Sequence, residues 1–101
     1  MDVTLRMEDG KTKEFSQGFI SGRMFRRTLE ISKALQGGTI DENTADVMAD
    51  YVVDLFGKQF SREQFYDGID ARLFIPTVTS CVQKVIGEAT EAVGAETNDP
   101  N

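Results

Sequence analysis

Apolar and polar residues alternate at the start of the chain, over residues 3–7, and the sequence Glu-Asp-Gly follows at 8–10. This pattern predicts a β-strand that runs into a tight turn. A two-residue turn would put the side chains of Val3 and Phe15 on different faces of the hairpin. A three-residue loop with a bulge, in which Gly10 is left-handed, instead pairs Val3 with Phe15 across the two strands, so that both side chains lie on the same face. We therefore predict a bulged hairpin.

The apolar spacing changes from that of a strand to that of a helix after residues 17–18. Ser21 is the first residue suited to an N-cap, and the glycine pair at 37–38 ends the first predicted helix. We expect one face of this helix to pack on the core. Its apolar positions, with a threonine filling one gap, are Met24, Phe25, Thr28, Leu29, Ile31 and Leu35.

The second predicted helix has the clearest apolar stripe of the chain. Thr39 and Glu42 have the spacing of a capping box, but Asp41 competes as the N-cap, so the first residue of the helix stays open. Gly57 is predicted to end it. The stripe consists of Ala45, Met48, Val52, Leu55 and Phe56.

The remainder of the chain predicts a short helix and a longer one. Ser61 and Gln64 fit a capping box, and Gly68 ends the short helix. Residues 70–75 are expected to form a connector, because a residue before proline is pushed towards an extended conformation, and Pro76 suits the first turn of the last helix. One face of that helix carries Val78, Val82, Val85, Ile86, Ala89 and Val93.

The predicted architecture is a single domain over residues 1–94. Gly94 ends the last helix, and residues 95–101 are expected to be a disordered polar tail. The fold class is mainly α with a small N-terminal β-hairpin (α+β), in which three to four helices pack on the hairpin.

Composition then narrows the classes of function. The chain has 101 residues and a net charge of −6, so phosphate backbones repel it and nucleic acid is not an expected partner. Histidine is absent and Cys81 is the single cysteine, which removes the commonest general base and the usual zinc ligand sets. We predict no catalytic residue, no metal, no cofactor and no enzymatic activity. Without a long apolar run, no membrane contact is expected. The single cysteine can make no internal disulfide, so a reducing cytoplasm is the expected compartment.

Two groups of charged residues have helical spacing. Arg23, Arg26 and Arg27 form a basic patch early in the first helix, and the second helix carries an acidic stripe with a four-residue repeat, Asp46, Asp50 and Asp54. The two groups either pair across neighbouring helices or face solvent, or one of them meets a partner protein. The sequence leaves these alternatives open.

Five aromatic residues lie within nineteen positions, and they are Phe56, Phe60, Phe65, Tyr66 and Phe74. Phe60 and Phe65 have the spacing of a hydrophobic staple across the start of the third helix. Most of these rings are expected in the core, and one or two of them are candidates for exposed interface anchors.

Several stretches of the sequence carry a further signal. These are DGK at 9–11, FISGRM at 19–24, RR at 26–27, VVDLFGKQF at 52–60, QFYDGIDAR at 64–72 and IPT at 75–77. Together they resemble the tail assembly chaperones of long-tailed (siphovirus-type) phages and prophages of Gram-positive bacteria, over about residues 3–87.

The resemblance implies a function during virion morphogenesis. Proteins of this family bind the tape measure protein, whose long hydrophobic helices would otherwise aggregate, and help deliver the major tail protein to it. They are absent from the mature virion. In many relatives a translational frameshift adds a second domain to a minority of copies. The resemblance carries no residue-level role, so the expected protein-binding residues are inferred from composition: Arg23, Arg26, Arg27, Phe60, Phe65 and Tyr66.

Two other functions compete with this one. A small acidic regulatory adaptor, of the antitoxin or anti-repressor type, would use the acidic stripe to mask a basic partner. A structural tail subunit would remain in the finished virion. Self-association is left open by the sequence.

Overall fold

The structure is a computed structural model that describes residues 1–97, with side chains as far as Glu91. It contains a two-stranded antiparallel hairpin followed by four helices, which confirms the predicted α+β class. The elements are β1 (Asp2–Arg6), β2 (Thr12–Ser16), α1 (Gly22–Gln36), α2 (Glu42–Leu55), α3 (Arg62–Gly68) and α4 (Ala71–Thr97).

The hairpin has the predicted register. Val3 lies opposite Phe15, and Gly10 has a φ of 83°, the left-handed conformation expected in the bulged loop. The Met7 N–H donates to the Lys11 carbonyl at 2.8 Å, which closes the loop. Val3 and Phe15 are both buried, so this register places the apolar face of the hairpin on the core.

The helices begin where side chains can cap them. Ser21 accepts a hydrogen bond from the Met24 N–H at 3.2 Å and caps α1 as predicted. Asp41 accepts one from the Thr44 N–H at 2.8 Å, so Asp41 is the N-cap of α2 and Thr39 is not. Both hydrogen bonds of the predicted capping box between Ser61 and Gln64 are present at α3.

The predicted connector over residues 70–75 is wrong, and so is the place of Pro76 in the first turn. Helix α4 begins at Ala71, and Pro76 is its sixth residue. The Asp70 carboxylate accepts the Arg72 N–H at 2.8 Å and starts the helix early. A proline here forgoes one helical hydrogen bond. Phe74 and Ile75, the two residues before it, pack against the core as helix, and that packing outweighs the local preference.

The far end of α4 also differs from the prediction. The helix continues to Thr97, past the predicted end at Gly94. Of the predicted polar tail at 95–101, residues 95–97 are therefore helical, and residues 98–101 lie outside the described part of the chain. Val93, the last member of the predicted apolar face, lies outside the described side chains.

The core is centred on α2. This helix buries six of its fourteen residues, Met48, Ala49, Tyr51, Val52, Val53 and Leu55. The hairpin covers this core with Val3, Leu5 and Phe15, and α4 covers it with Val78, Cys81, Val82 and Val85. Four of the five predicted stripe residues of α2 are thus buried, and Ala45 is half-buried.

Helix α1 differs from its predicted apolar face at one position. Leu29 is 42% exposed, whereas Thr28 is fully buried. The Thr28 hydroxyl donates to the Met24 carbonyl at 2.7 Å and lies 2.7 Å from the Tyr51 hydroxyl of α2. Because these hydrogen bonds satisfy the buried hydroxyl, threonine serves as a core residue where α1 meets α2.

One glycine allows α3 to pack closely on the hairpin. A Cβ at Gly68 would lie 2.7 Å from the Arg6 carbonyl oxygen and 2.9 Å from the Leu5 Cβ. Real Cβ atoms do not approach other atoms this closely, so the last turn of α3 can lie against β1 only without a side chain there.

Candidate protein-interaction surface

The acidic stripe of α2 is bonded to residues of two neighbouring helices. Asp54 forms an ion pair with Arg27 of α1. Asp50 accepts two hydrogen bonds from the Arg62 guanidinium, at 2.8 and 2.9 Å. Asp46 lies 3.7 Å from Arg62 and accepts a 2.7 Å hydrogen bond from the Tyr66 hydroxyl. The stripe therefore ties α1 and α3 to α2.

The ionisation of these groups follows from the contacts. The hydrogen bonds from Arg62 hold the pKa of Asp50 below its ordinary value of 3.8. Partial burial, with the Asp46 carboxylate as its hydrogen-bond partner, raises the pKa of Tyr66 to about 12. Asp50 is therefore ionised near neutral pH, and the ion pairs with Arg27 and Arg62 balance much of the charge of the stripe within the molecule.

Of the alternatives left open for the basic patch and the acidic stripe, pairing across neighbouring helices is found for one arginine. Arg27 is half-buried against Asp54. Arg26 is exposed, and its nearest carboxylate is that of the equally exposed Glu30, at 3.8 Å. Arg23 is exposed, and no carboxylate among the described side chains lies within 4.0 Å of it. Arg62, the partner of the other two aspartates, was not anticipated.

The aromatic residues form a continuous series of rings through the core. Phe60 lies 4.9 Å from Phe15 and 6.1 Å from Phe65, between ring centroids. Phe65 lies 5.5 Å from Phe74, which stacks on Tyr66 at 5.7 Å with the ring planes 5° apart. Such pairs add to the stability that burial provides.

The packing of these rings determines which of the three aromatic residues predicted to bind protein, Phe60, Phe65 and Tyr66, reach the surface. Phe60 is 3% exposed and Phe65 is fully buried, so neither ring is exposed on the surface of the folded chain. They are core residues because each packs between other rings. Tyr66 is half-buried and alone of the three offers an edge to solvent. Whether a partner binds beside it stays a prediction.

The most exposed aromatic ring was not among the predicted protein-binding residues. Phe19, in the loop between β2 and α1, is 79% exposed. It borders a notch of about 370 Å³ between that loop, α1 and α4. The notch is lined by Gly18, Phe19, Ile20, Phe25, Val85, Glu88 and Ala89. The available signal was the position of Phe19, which lies outside the strand alternation and immediately after a glycine.

Near the start of α1 the structure thus exposes one aromatic ring, Phe19, and two arginines, Arg23 and Arg26. A comparison with known families shows what kind of protein carries these features. The family described as phage tail chaperone protein matches residues 1–100 of the chain. The chain belongs to the phage tail chaperone family. The resemblance to tail assembly chaperones is thereby confirmed at the level of the family. Among curated proteins and solved structures, none matches the chain significantly.

The remaining candidates for chemistry in this tail chaperone have ordinary structural roles. Cys81 is buried beside the apolar face of α4, and burial raises the pKa of its thiol to about 11, so the thiol is not ionised near neutral pH. Among the described residues, no group of three or more His, Cys, Asp or Glu is placed to hold a metal ion. Within the same part of the chain, no helix is both long and apolar enough to cross a membrane.

Proposed function

We propose that this tail chaperone binds the tape measure protein of a siphovirus-type phage or prophage of a Gram-positive bacterium and helps to recruit the major tail protein to it. The observation that carries this proposal is the family match over residues 1–100. The chaperone acts in the cytoplasm of the host cell and leaves before the virion is complete. It works as an assembly helper and not as an enzyme.

The acidic surface of the chain suits this role. A net charge of −6 makes chaperone molecules repel one another, so several of them bound along one hydrophobic partner would keep the complex dispersed. The competing adaptor function depends on a free acidic stripe that masks a basic partner. Asp50 and Asp54 are instead engaged by Arg62 and Arg27 within the molecule, which favours the chaperone over the adaptor.

Of the residues predicted to bind protein, three are available for this role. Arg23 and Arg26 are exposed on α1, and Tyr66 is half-buried on α3. Arg27 contributes indirectly, since it holds Asp54 and thereby fixes α1 against α2. We place the partner-binding surface on the exposed arginines, with Tyr66 as a second contact region.

Co-expression tests the proposal directly. The tape measure protein encoded near the chaperone gene is produced alone, with the chaperone, and with an unrelated acidic protein of similar size. We expect the tape measure protein to remain in the supernatant only with the chaperone, and to co-purify with it. A tape measure protein that is equally insoluble in all three cases would contradict the proposal.

A second measurement separates the chaperone from a structural tail subunit. A mass-spectrometric inventory of purified virions should contain the tape measure and major tail proteins and lack this chain. If the chain is present in stoichiometric amounts, the structural role is correct.

A further inference from the structure

Strand β1 has one edge that no other strand covers. The sheet has two strands, so within the described chain β1 pairs only with β2. Met1 and Gln17 exchange two hydrogen bonds, of 2.9 and 3.3 Å, at the open end of the hairpin. Because hydrogen-bonded pairs alternate along an antiparallel ladder, this register points the backbone N–H and C=O groups of Asp2 and Thr4 away from β2. These four groups lie on the free edge.

Only the first part of this edge is open. The last turn of α3 covers the far end, since a Cβ at Gly68 would lie 2.7 Å from the Arg6 carbonyl oxygen. The edge at Asp2 and Thr4 instead faces a depression of about 460 Å³. The first four residues of the chain, Ile69 and one side of α4 line this depression, which is called the edge groove below.

Helix α4 forms the wall of the edge groove that faces β1. Its six lining residues have helical spacing and therefore share one face: Leu73, Pro76, Thr77, Ser80, Cys81 and Lys84. From the first to the last of them the helix rises about 16 Å, which is the length of about five residues of β-strand. The edge groove is therefore long enough for one short strand between β1 and α4.

The two walls run in opposite directions. Gly68 lies beside Arg6, at the end of β1, and α4 begins three residues later. Burial raises the pKa of Cys81 while the N-terminal ammonium group acts against this shift, so Met1 lies near Cys81. The first turn of α4 is therefore at the Arg6 end of the groove, and Lys84 is at the Met1 end.

These two ends differ in chemistry. Leu73 is apolar and 53% exposed at one end. Lys84 is exposed at the other, and no carboxylate among the described side chains lies within 4.0 Å of it. The one carboxylate of the lining, that of Asp2, accepts a 2.6 Å hydrogen bond from the Ser16 hydroxyl of β2. Lys84 is thus available to a carboxylate from outside.

The geometry suits an extended segment and excludes a helix as the group that pairs with the edge. A helix bonds its own N–H and C=O groups, whereas a strand added to β1 can pair with those of Asp2 and Thr4. Every second side chain of such a strand would lie on the same face as Val3, towards α4 and Leu73. An antiparallel strand would run from Leu73 to Lys84, so a carboxylate near its C-terminal end would meet the lysine.

We propose that the edge groove binds an extended segment of the major tail protein by strand addition to β1. The segment lies antiparallel to β1, has apolar residues at alternate positions and carries a carboxylate near its C-terminal end. The inference rests on the proposed function, in which the chaperone recruits this protein. Of the two partners proposed there, the tape measure protein is expected to present helices, so the extended segment is assigned to the other. The groove shares no lining residue with the depression at Arg23 and Arg26.

A proline on the edge tests strand addition in the full-length chaperone, with the purified major tail protein as the probe. Thr4→Pro removes an N–H that the hairpin does not use, and an edge strand tolerates proline at such a position. Its affinity for the major tail protein should fall at least about tenfold, because a carbonyl of the added strand loses its donor. Thr4→Ala keeps the N–H and should bind within about twofold of the wild type.

The matched control is Glu14→Pro on the other edge of the hairpin. Glu14 lies opposite Thr4 in the register, so its N–H also points away from the partner strand. This variant should bind the major tail protein within about twofold of the wild type. Thermal unfolding of both proline variants checks that the hairpin is intact. Equal affinities of Thr4→Pro and Glu14→Pro would overturn the proposal.

Hydrogen exchange tests the same contact without a substitution. In the free chaperone the N–H groups of Val3 and Leu5 face β2, and that of Thr4 is open. In the saturated complex with the major tail protein, exchange of the Thr4 amide measured by NMR should slow at least about tenfold, and that of Glu14 should change little. Unchanged exchange at Thr4 would overturn the proposal even if the proline variants do not fold.

A charge reversal tests the Lys84 end. Lys84→Glu should weaken binding of the major tail protein by about five- to tenfold and reduce its dependence on salt. Lys33→Glu makes the same change in net charge at an exposed position on α1. Equal loss in the two variants would show that only net charge matters, which would overturn the pairing with Lys84.

The outcomes separate this inference from the proposed function. If the wild type binds neither tail protein, both fail. If it binds the tape measure protein alone, recruitment and the edge groove fail together, and the tape measure function stands. If it binds both and Thr4→Pro matches its control, only the edge groove is wrong. Chaperone dimers that Thr4→Pro abolishes would overturn the proposal in favour of a second copy as the occupant.

Discussion

The α2–α3 side of the molecule and the N-terminal end of α1 use the same residue types in opposite ways. On the α2–α3 side, Phe60 and Phe65 are buried among other rings, and Arg62 holds the Asp50 carboxylate. At the start of α1, Phe19 is exposed, and Arg23 has no carboxylate within reach among the described side chains. Phenylalanine and arginine thus stabilise the fold in one region and lie exposed in the other.

The difference arises from what each element packs against. Helix α2 is central, so an aspartate on its flank meets a basic residue of the neighbouring helix, as Asp54 meets Arg27. The first turn of α1 has a neighbour on only part of its circumference, and Arg23 and Arg26 lie on the remainder. Whether a charged side chain is paired or exposed therefore depends on whether a neighbouring element supplies its counter-ion.

The largest expected difference in the free energy of unfolding is between two variants that each remove one ring, one from each region. Phe65→Ala should lower the free energy of unfolding by about 3–5 kcal/mol, because it leaves a cavity between Phe60 and Phe74. Phe19→Ala should change it by less than about 0.5 kcal/mol, because the ring is exposed. Urea denaturation at neutral pH measures both. A comparable loss in the two variants would show that Phe19 packs on the core in solution.

A pair of glycine substitutions gives the next largest difference. Gly68→Ala should destabilise the protein by about 1–3 kcal/mol, because the new Cβ meets the Arg6 carbonyl at the contact of α3 with β1. Gly87→Ala places its Cβ in open space on helix α4 and should stabilise the protein by about 0.5–1 kcal/mol through helix propensity. Thermal midpoints of the two variants should move in opposite directions. A midpoint of Gly68→Ala that does not fall would contradict the close packing of α3 on the hairpin.

The smallest effect is a change in the pH dependence of stability. The folded-state pKa of Asp50 is lowered from 3.8 by Arg62, so its stabilising contribution is complete above that value and is lost as the pH falls through the lower folded-state pKa. Asp50→Asn should lower the free energy of unfolding at pH 7 by less than Gly68→Ala does. Between about pH 5 and pH 2, the free energy of unfolding should fall less steeply in Asp50→Asn than in the wild type. Urea midpoints measured across this range test it.

The matched control for the pH experiment is Asp67→Asn, which removes the same charge from an exposed position at the end of α3. Its stability at pH 7 should stay within about 0.5 kcal/mol of the wild type. If the stability of Asp50→Asn falls with decreasing pH as steeply as that of the wild type, the pair of Asp50 with Arg62 contributes nothing to folding.

Much of the fold could be predicted because local chemistry decided it. The hairpin register follows from side-chain alternation and Gly10, and the capping box of Ser61 and Gln64 follows from their spacing. The candidate site could be predicted only in part. Arg23 and Arg26 were predicted from their spacing and are exposed, and their role stays a prediction. Phe60 and Phe65 were predicted at the same surface but are buried.

The sequence by itself determined the class of the fold, the N-caps of α1 and α3 and the family to which the chain belongs, because these depend on residues close together in the chain. Tertiary structure alone decided that α4 runs through Pro76, that Leu29 is exposed while Thr28 is buried, and that Arg62 and not the α1 patch binds Asp50. Each of these outcomes depends on which distant element lies alongside, since a neighbour supplies the packing surface, the hydrogen-bond acceptor or the counter-ion that the local sequence lacks.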